Sequence, residues 1–226
     1  MRIIKRIIKR IKYIGIIFRL YEILSYFRFK NLIEKAKKND DLRLHLGSGS
    51  RTLAGWINID IQWKPEVLTM KLPRGLKRFE DNSVRYIYIS HFLEHLEYPA
   101  EVLDFVRQCH RVLTSEGSLR IVVPGIEKII RAYTLDNRDF FKIQRERHPS
   151  WCTTKLEHLM YALQQDGQHK YGYDFETMKK LLSQVGFRKV VRSNYNKSQV
   201  EDLRIDYRAR TDDAGEYLSL YVDAIK

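Results

Sequence analysis

Residues 42–61 read LRLHLGSGSRTLAGWINIDI. The apolar run Leu42–Leu46 breaks into Gly47-Ser48-Gly49, and a second run, Trp56–Ile61, carries an acid, Asp60, near its end. Short apolar runs bounded by turn residues predict buried strands, and glycines directly after a strand let the backbone approach a ligand that a Cβ would repel. An acid at the tip of the next strand suits a pair of ribose hydroxyls, which one carboxylate can bind together. A turn or cap role for Asp60 is the plainer alternative. Only 13 positions separate Gly47 from Asp60, against about 20 in a dinucleotide fold. Residues 50–55 therefore cannot hold a full crossover helix, which disfavours NAD bound at a helix N-terminus. Another element must cover that sheet face, and the helical stretch Leu20 to Lys38 is the expected cover.

Outward from this segment, strands and helices alternate. Val84–Ser90 is a third clear strand, and a helix follows Pro99 until Gly117, with Val102, Leu103, Val106, Cys109, Val112 and Leu113 at helical spacing. Leu119–Val123 is a buried-type strand, Ile126–Leu135 a helix, and 136–173 a polar, aromatic stretch. Asp174 caps a helix that Gly186 ends, and 187–192 and 217–225 are strands. Such alternation predicts an α/β fold with a doubly wound, mostly parallel sheet that binds ligands beyond the carboxyl ends of its strands.

The 226 residues are 44% hydrophobic and 31% charged, a globular composition. Two cysteines, Cys109 and Cys152, cannot build a disulfide framework or a four-thiolate zinc site, so a reducing, cytoplasmic compartment fits best. The net charge of +13 is concentrated: residues 1–38 hold 12 Lys or Arg against Glu22 and Glu34, which leaves the body near neutrality and argues against nucleic acid as a partner. At about 100° per residue, Ile3, Ile4, Ile7, Ile8, Ile11, Ile14, Gly15 and Phe18 fall in one sector of roughly 140°, opposite Arg2, Lys5, Arg6, Lys9, Arg10, Lys12 and Arg19. This predicts an amphipathic helix that docks on an anionic membrane surface through residues 1–18, at the inner face of the cell membrane. Packing on the body or on a partner is the alternative, and a secretory signal is disfavoured because no clean apolar core or cleavage site follows. The expected organisation is an arm over 1–40 and a domain over 41–226, with 136–173 inserted on the acceptor side.

The segment YIYISHFLEHL places Ser90 and His91 at a strand end and Glu94 and His95 at the start of the next helix. His91-x-x-Glu94-His95 matches an inverted zinc-peptidase pattern, but that pattern needs both histidines on one helix, so no metal is assigned. A divalent ion completed by His169 or Glu97 is a weaker reading, and plain hydrogen bonding at a helix start is the simplest. The reading preferred here uses His91 or His95 as a base oriented by Glu94. His169, Tyr171 and Tyr173 suit an acceptor pocket, or else ordinary aromatic packing.

LHLGSGSRTLAGWINIDI, FEDNSVRYIYISHFLEHL, RVLTSEGSLRIVVPGIEKIIRAY, GYDFETMKKLLSQVGF and SLYVDAIK occur in the order found in class I S-adenosylmethionine-dependent methyltransferases, which the chain resembles from about Leu42 onward. More narrowly it resembles predicted bacterial methyltransferases associated with polysaccharide and cell-surface glycan genes. The resemblance implies a Rossmann-like seven-stranded sheet with the last strand antiparallel. It also implies S-adenosylmethionine over Gly47, Ser48 and Gly49, with Asp60 and Ile61 at the ribose. Leu72, Asp81 and Asn82 are then expected near the adenine, and Ser90 and His91 near the methionine end. His45, Ser48, Arg51, Lys71 and Gly125 depart from the family's usual residues, and Arg51 is a candidate partner for the cofactor's carboxylate. The expected function is O-methylation of a glycan, lipid-linked or small-molecule acceptor. The alternative is a catalytically weak, methyltransferase-like binding module at the membrane.

Overall fold

The computed structural model describes residues 2–207 and 218–226, with residues 2–14 as backbone only. Tyr217, the expected start of the last strand, lies outside the described residues.

The helix α1 (Arg2–Lys38) leads into β1 (Arg43–Leu46), β2 (Ile57–Asp60), β3 (Val67–Thr69) and β4 (Val84–Ser90). Then follow α2 (Ala100–Val112), β5 (Leu113–Pro124), α3 (Ile126–Thr134), α4 (Arg138–Arg145), α5 (Lys155–Gln164) and α6 (Phe175–Val185). The strands β6 (Lys189–Ser193) and β7 (Ser219–Ile225) close the fold. All seven strands form one sheet in the order β3-β2-β1-β4-β5-β7-β6. The first five are parallel, and β7 runs antiparallel to both neighbours. This is the expected seven-stranded sheet with an antiparallel last strand. Its order reverses between β1 and β4, so the cavity at the carboxyl ends opens beside the Gly47 turn.

Three boundaries differ from the sequence expectation. The three residues of β3 were expected to be loop. The helix α2 ends at Val112, not Gly117, because Leu113 turns extended and pairs with Val84. The stretch 136–173 contains two helices: Asn137 caps α4 by accepting from the Phe140 N–H at 2.9 Å, and Thr154 with Glu157 forms a reciprocal capping box on α5.

The two sheet faces are covered differently. Leu44, Ile59, Ile87, Ile121 and Val222 point to one face, where they join Val106 of α2, Leu182 of α6, and Phe29 and Ile33 of α1 in the main core. Tyr86, Tyr88, Val122 and Tyr221 point to the other. A right-handed crossover from β1 to β2 runs on this second face, since it moves along the sheet opposite to the β4–β5 connection. That crossover is too short for a helix, and the segment 194–207 covers the face instead, packing Tyr195, Leu203 and Tyr207 on the sheet aromatics. The expectation that residues 20–38 cover this face is thus corrected: α1 lies on the opposite face, at the β3 edge.

The helix α1 also docks by a side that its apolar pattern does not reveal. Ile23, Leu24, Phe27 and Leu32 are exposed, while Glu22 and Ser25 are buried. The Ser25 hydroxyl accepts from the Thr69 N–H at 3.0 Å, Glu22 accepts from the Lys71 N–H at 2.9 Å, and Arg28 donates to the carbonyls of Lys64 and Val67. These bonds satisfy the free rim of edge strand β3, which otherwise invites another strand. A boundary at residue 40 therefore does not separate two packing units.

Segment 194–207 is held by Arg120, a fully buried arginine in β5. Its Nε donates to Asp206 Oδ1 at 2.9 Å and its Nη1 to Asp223 Oδ1 at 2.7 Å, while Nη2 reaches Asp206 Oδ2 and the Asn194 carbonyl. Ser193 Oγ at 3.4 Å takes a further donor, so all five guanidinium N–H groups are used. On the same face His45 is wholly buried and donates from Nδ1 to Asn58 Oδ1 at 3.0 Å. Burial pushes its pKa down to about 4, so the ring is neutral.

Two predictions follow from this face. Arg120→Met strands two buried carboxylates and should cost about 3–5 kcal/mol in urea unfolding. Arg120→Lys should not restore the loss, because an ammonium cannot match the fork. For His45 the unfolded chain protonates near 6.5 and the folded one near 4, so between these values the unfolded state binds more protons. Its contribution is complete above pH 6.5 and declines by up to about 3 kcal/mol on acidification to pH 4. Stability measured against pH in His45→Gln should be flatter over that window.

Candidate active site

Two cavities meet at the carboxyl ends of the strands. The first, of about 550 Å3, lies over the β1 turn, and the second, of about 430 Å3, lies between β4, β5 and the helices of the 136–173 region. His91 and His95 line both.

The floor of the first cavity is the turn Gly47-Ser48-Gly49. Gly47 and Gly49 have φ of +66° and +56°, left-handed values that side chains rarely adopt. They are glycine for different spatial reasons. A Cβ on Gly47 would stand 2.4 Å from the Phe92 ring, whereas one on Gly49 would project into the cavity, with only Gln62 Nε2 within reach at 3.9 Å. Asp60 fixes the turn: its Oδ2 accepts from the Gly49 N–H at 2.9 Å, and Oδ1 from the Gln62 N–H at 3.1 Å. Each oxygen keeps a lone pair toward the cavity. Ser48 Oγ is buried in this wall without a hydrogen-bond partner in the protein. A cradle that a Cβ would fill, an acid at its rim and an orphaned hydroxyl fit a ribose-bearing cofactor.

Gly47, Ser48, Gly49, Asp60, Ile61, Leu72, Ser90 and His91 all line this cavity, as expected from the sequence. Asp81 and Asn82 do not. They precede β4 and so lie at the opposite end of the sheet, where Asp81 pairs with Arg111 and Asn82 accepts from Lys226 Nζ at 2.7 Å. Their expected place near an adenine is corrected accordingly. Phe92 and Tyr207 line the cavity without having been singled out, and Arg51 lines it with its guanidinium 5.0 Å over the Tyr207 ring. No periodic signal marks Tyr207, which arrives at the end of the segment that Arg120 holds.

Between the cavities β4 ends at Ser90, and His91 turns the chain with a left-handed φ of +53°. Its N–H donates to the Val122 carbonyl at 2.8 Å, which keeps the turn attached to β5. The Nδ1 atom of His91 lies 3.2 Å from Glu94 Oε1, and its Nε2 lies 3.2 Å from Ser219 Oγ. Glu94 and His95 sit on a short 3-10 turn, Leu93–His95, and not on the following helix, which begins five residues later. His95 Nδ1 faces the Gln168 carbonyl at 3.0 Å, and His169 Nδ1 faces the Ala162 carbonyl at 3.1 Å. The two rings are edge to face at 5.1 Å. Burial pushes the His169 pKa below the usual histidine range.

Of the expected acceptor residues only His169 lines the second cavity. Tyr171 stacks on Tyr98 at 3.9 Å, and Tyr173 is buried in the main core with its hydroxyl 3.5 Å from the Leu93 carbonyl. Packing is what these two tyrosines do, which corrects their assignment to an acceptor pocket. The wall of the second cavity is formed instead by residues that include Gln144, Arg147 and His148 around α4, Tyr161 on α5, and Gln168.

Residues 60–121, from the end of β2 into β5, match the family described as methyltransferase domain. No curated protein matches the chain. Among solved structures the fold is similar to a SAM-dependent methyltransferase from Archaeoglobus fulgidus, with TM-score 0.52 and 18% identity over 91% of this chain and 94% of that one. More distant likenesses include a SAM-dependent methyltransferase from Aquifex aeolicus (TM-score 0.42, 15% identity, 85% of this chain and 88% of that one). Another is phosphoethanolamine N-methyltransferase 2 from Haemonchus contortus in complex with S-adenosyl-L-methionine (0.44, 13%, 91% and 56%). A methyltransferase-domain match through the middle of the sheet, and the fold that SAM-dependent methyltransferases share, thus surround a glycine-and-acid cavity that fits S-adenosylmethionine.

Proposed function

We propose that the protein is an S-adenosylmethionine-dependent methyltransferase that methylates a hydroxyl of a glycan or lipid-linked sugar presented at an anionic membrane surface. The observation that carries this reading is the shared wall: His91 and His95 border both cavities, so a donor in one and an acceptor in the other meet at a histidine. S-adenosylmethionine, when bound, supplies a methyl group on a sulfonium for in-line transfer. In this reading Asp60 takes the ribose hydroxyls beside Ile61, Leu72 flanks the adenine, and Gly47, Ser48 and Gly49 floor the site. Arg51 takes the carboxylate, and Ser90 and His91 border the methionine end. His91 receives the acceptor's proton, with Glu94 setting its ring orientation, and proximity supplies much of the rate. The second cavity suits a polyhydroxylated ligand because Gln144, Gln165 and Gln168 line it beside Lys128 and Arg147.

The surface of α1 supports the membrane part of the proposal. Ile16, Ile17, Leu20, Ile23, Leu24 and Phe27 are all exposed, more apolar surface than a solvated helix carries without a partner. Counted at about 100° per residue along one helix, these positions share a sector with Arg2, Lys5, Arg6, Lys9, Arg10 and Lys12. One side of the sequence is thus basic, then apolar, the combination that interfacial helices use on anionic lipid. Among the described residues no helix is long and apolar enough to cross a membrane.

Asp60→Ala and Gly49→Val should each weaken S-adenosylmethionine binding more than tenfold by calorimetry. The first loses charge-assisted bonds worth roughly 1.5–3 kcal/mol each, and the second fills the cradle. His91→Ala should keep the affinity and lose turnover. Wild-type affinity in both Asp60→Ala and Gly49→Val would refute the cofactor assignment.

The full chain should sediment with vesicles containing anionic lipid and not with neutral ones. Removal of residues 1–18 should abolish sedimentation, since each basic residue near the surface contributes about 1 kcal/mol. Ser at Leu20, Leu24 and Phe27 should weaken it without lowering the melting temperature, because these side chains are solvent-exposed. Ser at Ile4, Ile8 and Ile11 is the companion variant: if it alone abolishes sedimentation, the isoleucine sector is the lipid face.

A further inference from the structure

Three hydrogen-bond acceptors converge at the inner wall of the second cavity. Glu94 is 1% exposed, and neither carboxylate oxygen accepts a hydrogen bond in the protein. His91 Nδ1 stands 3.2 Å from Oε1 as an ion-pair neighbour. A backbone carbonyl can only accept, so His95 and His169, whose Nδ1 atoms face the carbonyls of Gln168 and Ala162, must each donate there. With Nδ1 so engaged, Nε2 is the nitrogen of each ring left for a ligand. One donor atom from each of Glu94, His95 and His169 lies within 4.8 Å of the other two. The Glu94 carboxyl is thus buried beside two imidazoles, and among the contacts above only His91 Nδ1, 3.2 Å from Oε1, approaches it.

We propose that Glu94, His95 and His169 form a binding site for a divalent transition-metal ion. Two imidazoles and a carboxylate are a ligand set for zinc or iron with open positions, and Nδ1–H bonds to carbonyls are the outer support that metal-binding histidines use. Ligand atoms on a tetrahedral zinc stand about 3.3 Å apart, from bonds of about 2.0–2.1 Å. The three donor atoms, within 4.8 Å of one another, would close to that spacing around an ion. Glu94 and His95 are fixed by the turn after β4, and His169 is brought over from the end of the 136–173 region, so the ion also ties the roof of the cavity to its floor. A bound ion here would accept an acceptor hydroxyl as ligand and lower its pKa. The proton would then pass to His91 as in the reading above, and the oxygen would face the donor cavity as a stronger nucleophile, with no change in the ion's charge. The site stands on geometry alone, whereas this use of it rests on the methyl-transfer reading above.

A second group of potential ligands, His148, Cys152 and His158, serves as internal control. There His148 Nδ1 and His158 Nδ1 are 3.0 Å apart, a contact that a hydrogen bond between the rings explains.

The test is calorimetric titration of chelator-treated full-length protein with Zn2+ in the absence of cofactor. One ion per chain is expected, with affinity reduced more than tenfold in Glu94→Gln and in His169→Ala and unchanged in Cys152→Ser. A reading that does not depend on the variants folding comes from Co2+ bound to the wild-type protein. Nitrogen and oxygen ligands give visible d–d bands without a sulfur charge-transfer band. Absence of Zn2+ binding, unaltered affinity in both ligand variants, or a sulfur band lost with Cys152→Ser would each overturn the proposal. Separate titration with S-adenosylmethionine tells the two readings apart: ion binding without cofactor binding leaves the metal site standing and removes the methyl-transfer use of it.

Discussion

Arg120 is the constraint on which one side of this molecule depends. A guanidinium buried in the middle of a sheet is tolerable only if every N–H is paired and its charge is met. Here the partners come from three places: Asp223 on β7, Ser193 at the end of β6, and Asn194 and Asp206 on the covering segment. One residue therefore fastens the last two strands and the segment 194–207 to β5. Tyr88 adds its hydroxyl to Asp206 at 3.3 Å, and burial raises its pKa, so it stays a phenol that can donate. The reach of this network into the site is short. Asp206 precedes Tyr207, which packs against His45 and Tyr88 and stands in the wall of the first cavity.

The network also compensates for a helix that the chain lacks. The spacing between Gly47 and Asp60 already shows that the first crossover is short, because six residues cannot make a helix and two turns. What replaces it was not legible. Residues 194–207 have neither the 3.6 nor the 2 period, since they cover the sheet through scattered aromatics and one ion network. The residues they cover, His45 and Asn58, alternate with leucine and isoleucine in a way that reads only as a strand. The departure of His45 from the usual residue of the methyltransferases that the chain resembles acquires a physical meaning in this setting: it is a neutral, hydrogen-bonded filler of a face closed by loop.

What could be read in the sequence and what could not divide along the same line. The strands that end at Gly47, Asp60 and Ser90 are bounded by glycine or by chemistry-bearing residues, and their tips meet at one cavity. The helix α6 carries its own stop signals in Asp174 and Gly186. By contrast α1 presents to the body the polar residues Glu22, Ser25 and Arg28, because its neighbour is the unpaired rim of β3 and not an apolar surface. A hydrophobic wheel looks for the wrong face in that case. Asp81 and Asn82 failed for another reason: proximity in sequence to β4 does not say which end of the strand they occupy, and the ion pair with Arg111 decides it. Tyr171 and Tyr173 look like ligand-facing aromatics, but Tyr173 forms a bridge to Gly125 and joins the core. The helices α4 and α5 were legible after all, in Asn137 and in the Thr154-x-x-Glu157 capping box.

The two halves of the site are supported by different packing, and under the proposed function this bears on acceptor selection. The first cavity is built from strand tips of the main core, where any change of volume is felt through the sheet. The roof of the second has its own small core, Ile129, Ala132, Phe140 and Phe141, separate from the main one. Ile129 and Phe140 of that core line the cavity beside the long polar Gln144, Arg147 and Gln165, so substitutions among the polar residues alter shape and hydrogen bonding with little effect on the sheet. The histidine wall belongs to neither alone. His91 and His95 are positioned by β4 and its turn, while His169 and the Gln168 carbonyl that orients His95 come from the roof. A change in the roof therefore reaches the reacting end of the site through one hydrogen bond and one ring. On the proposed function, acceptor preference can vary there while the turn over which the cofactor would lie stays fixed by Asp60 and the two glycines.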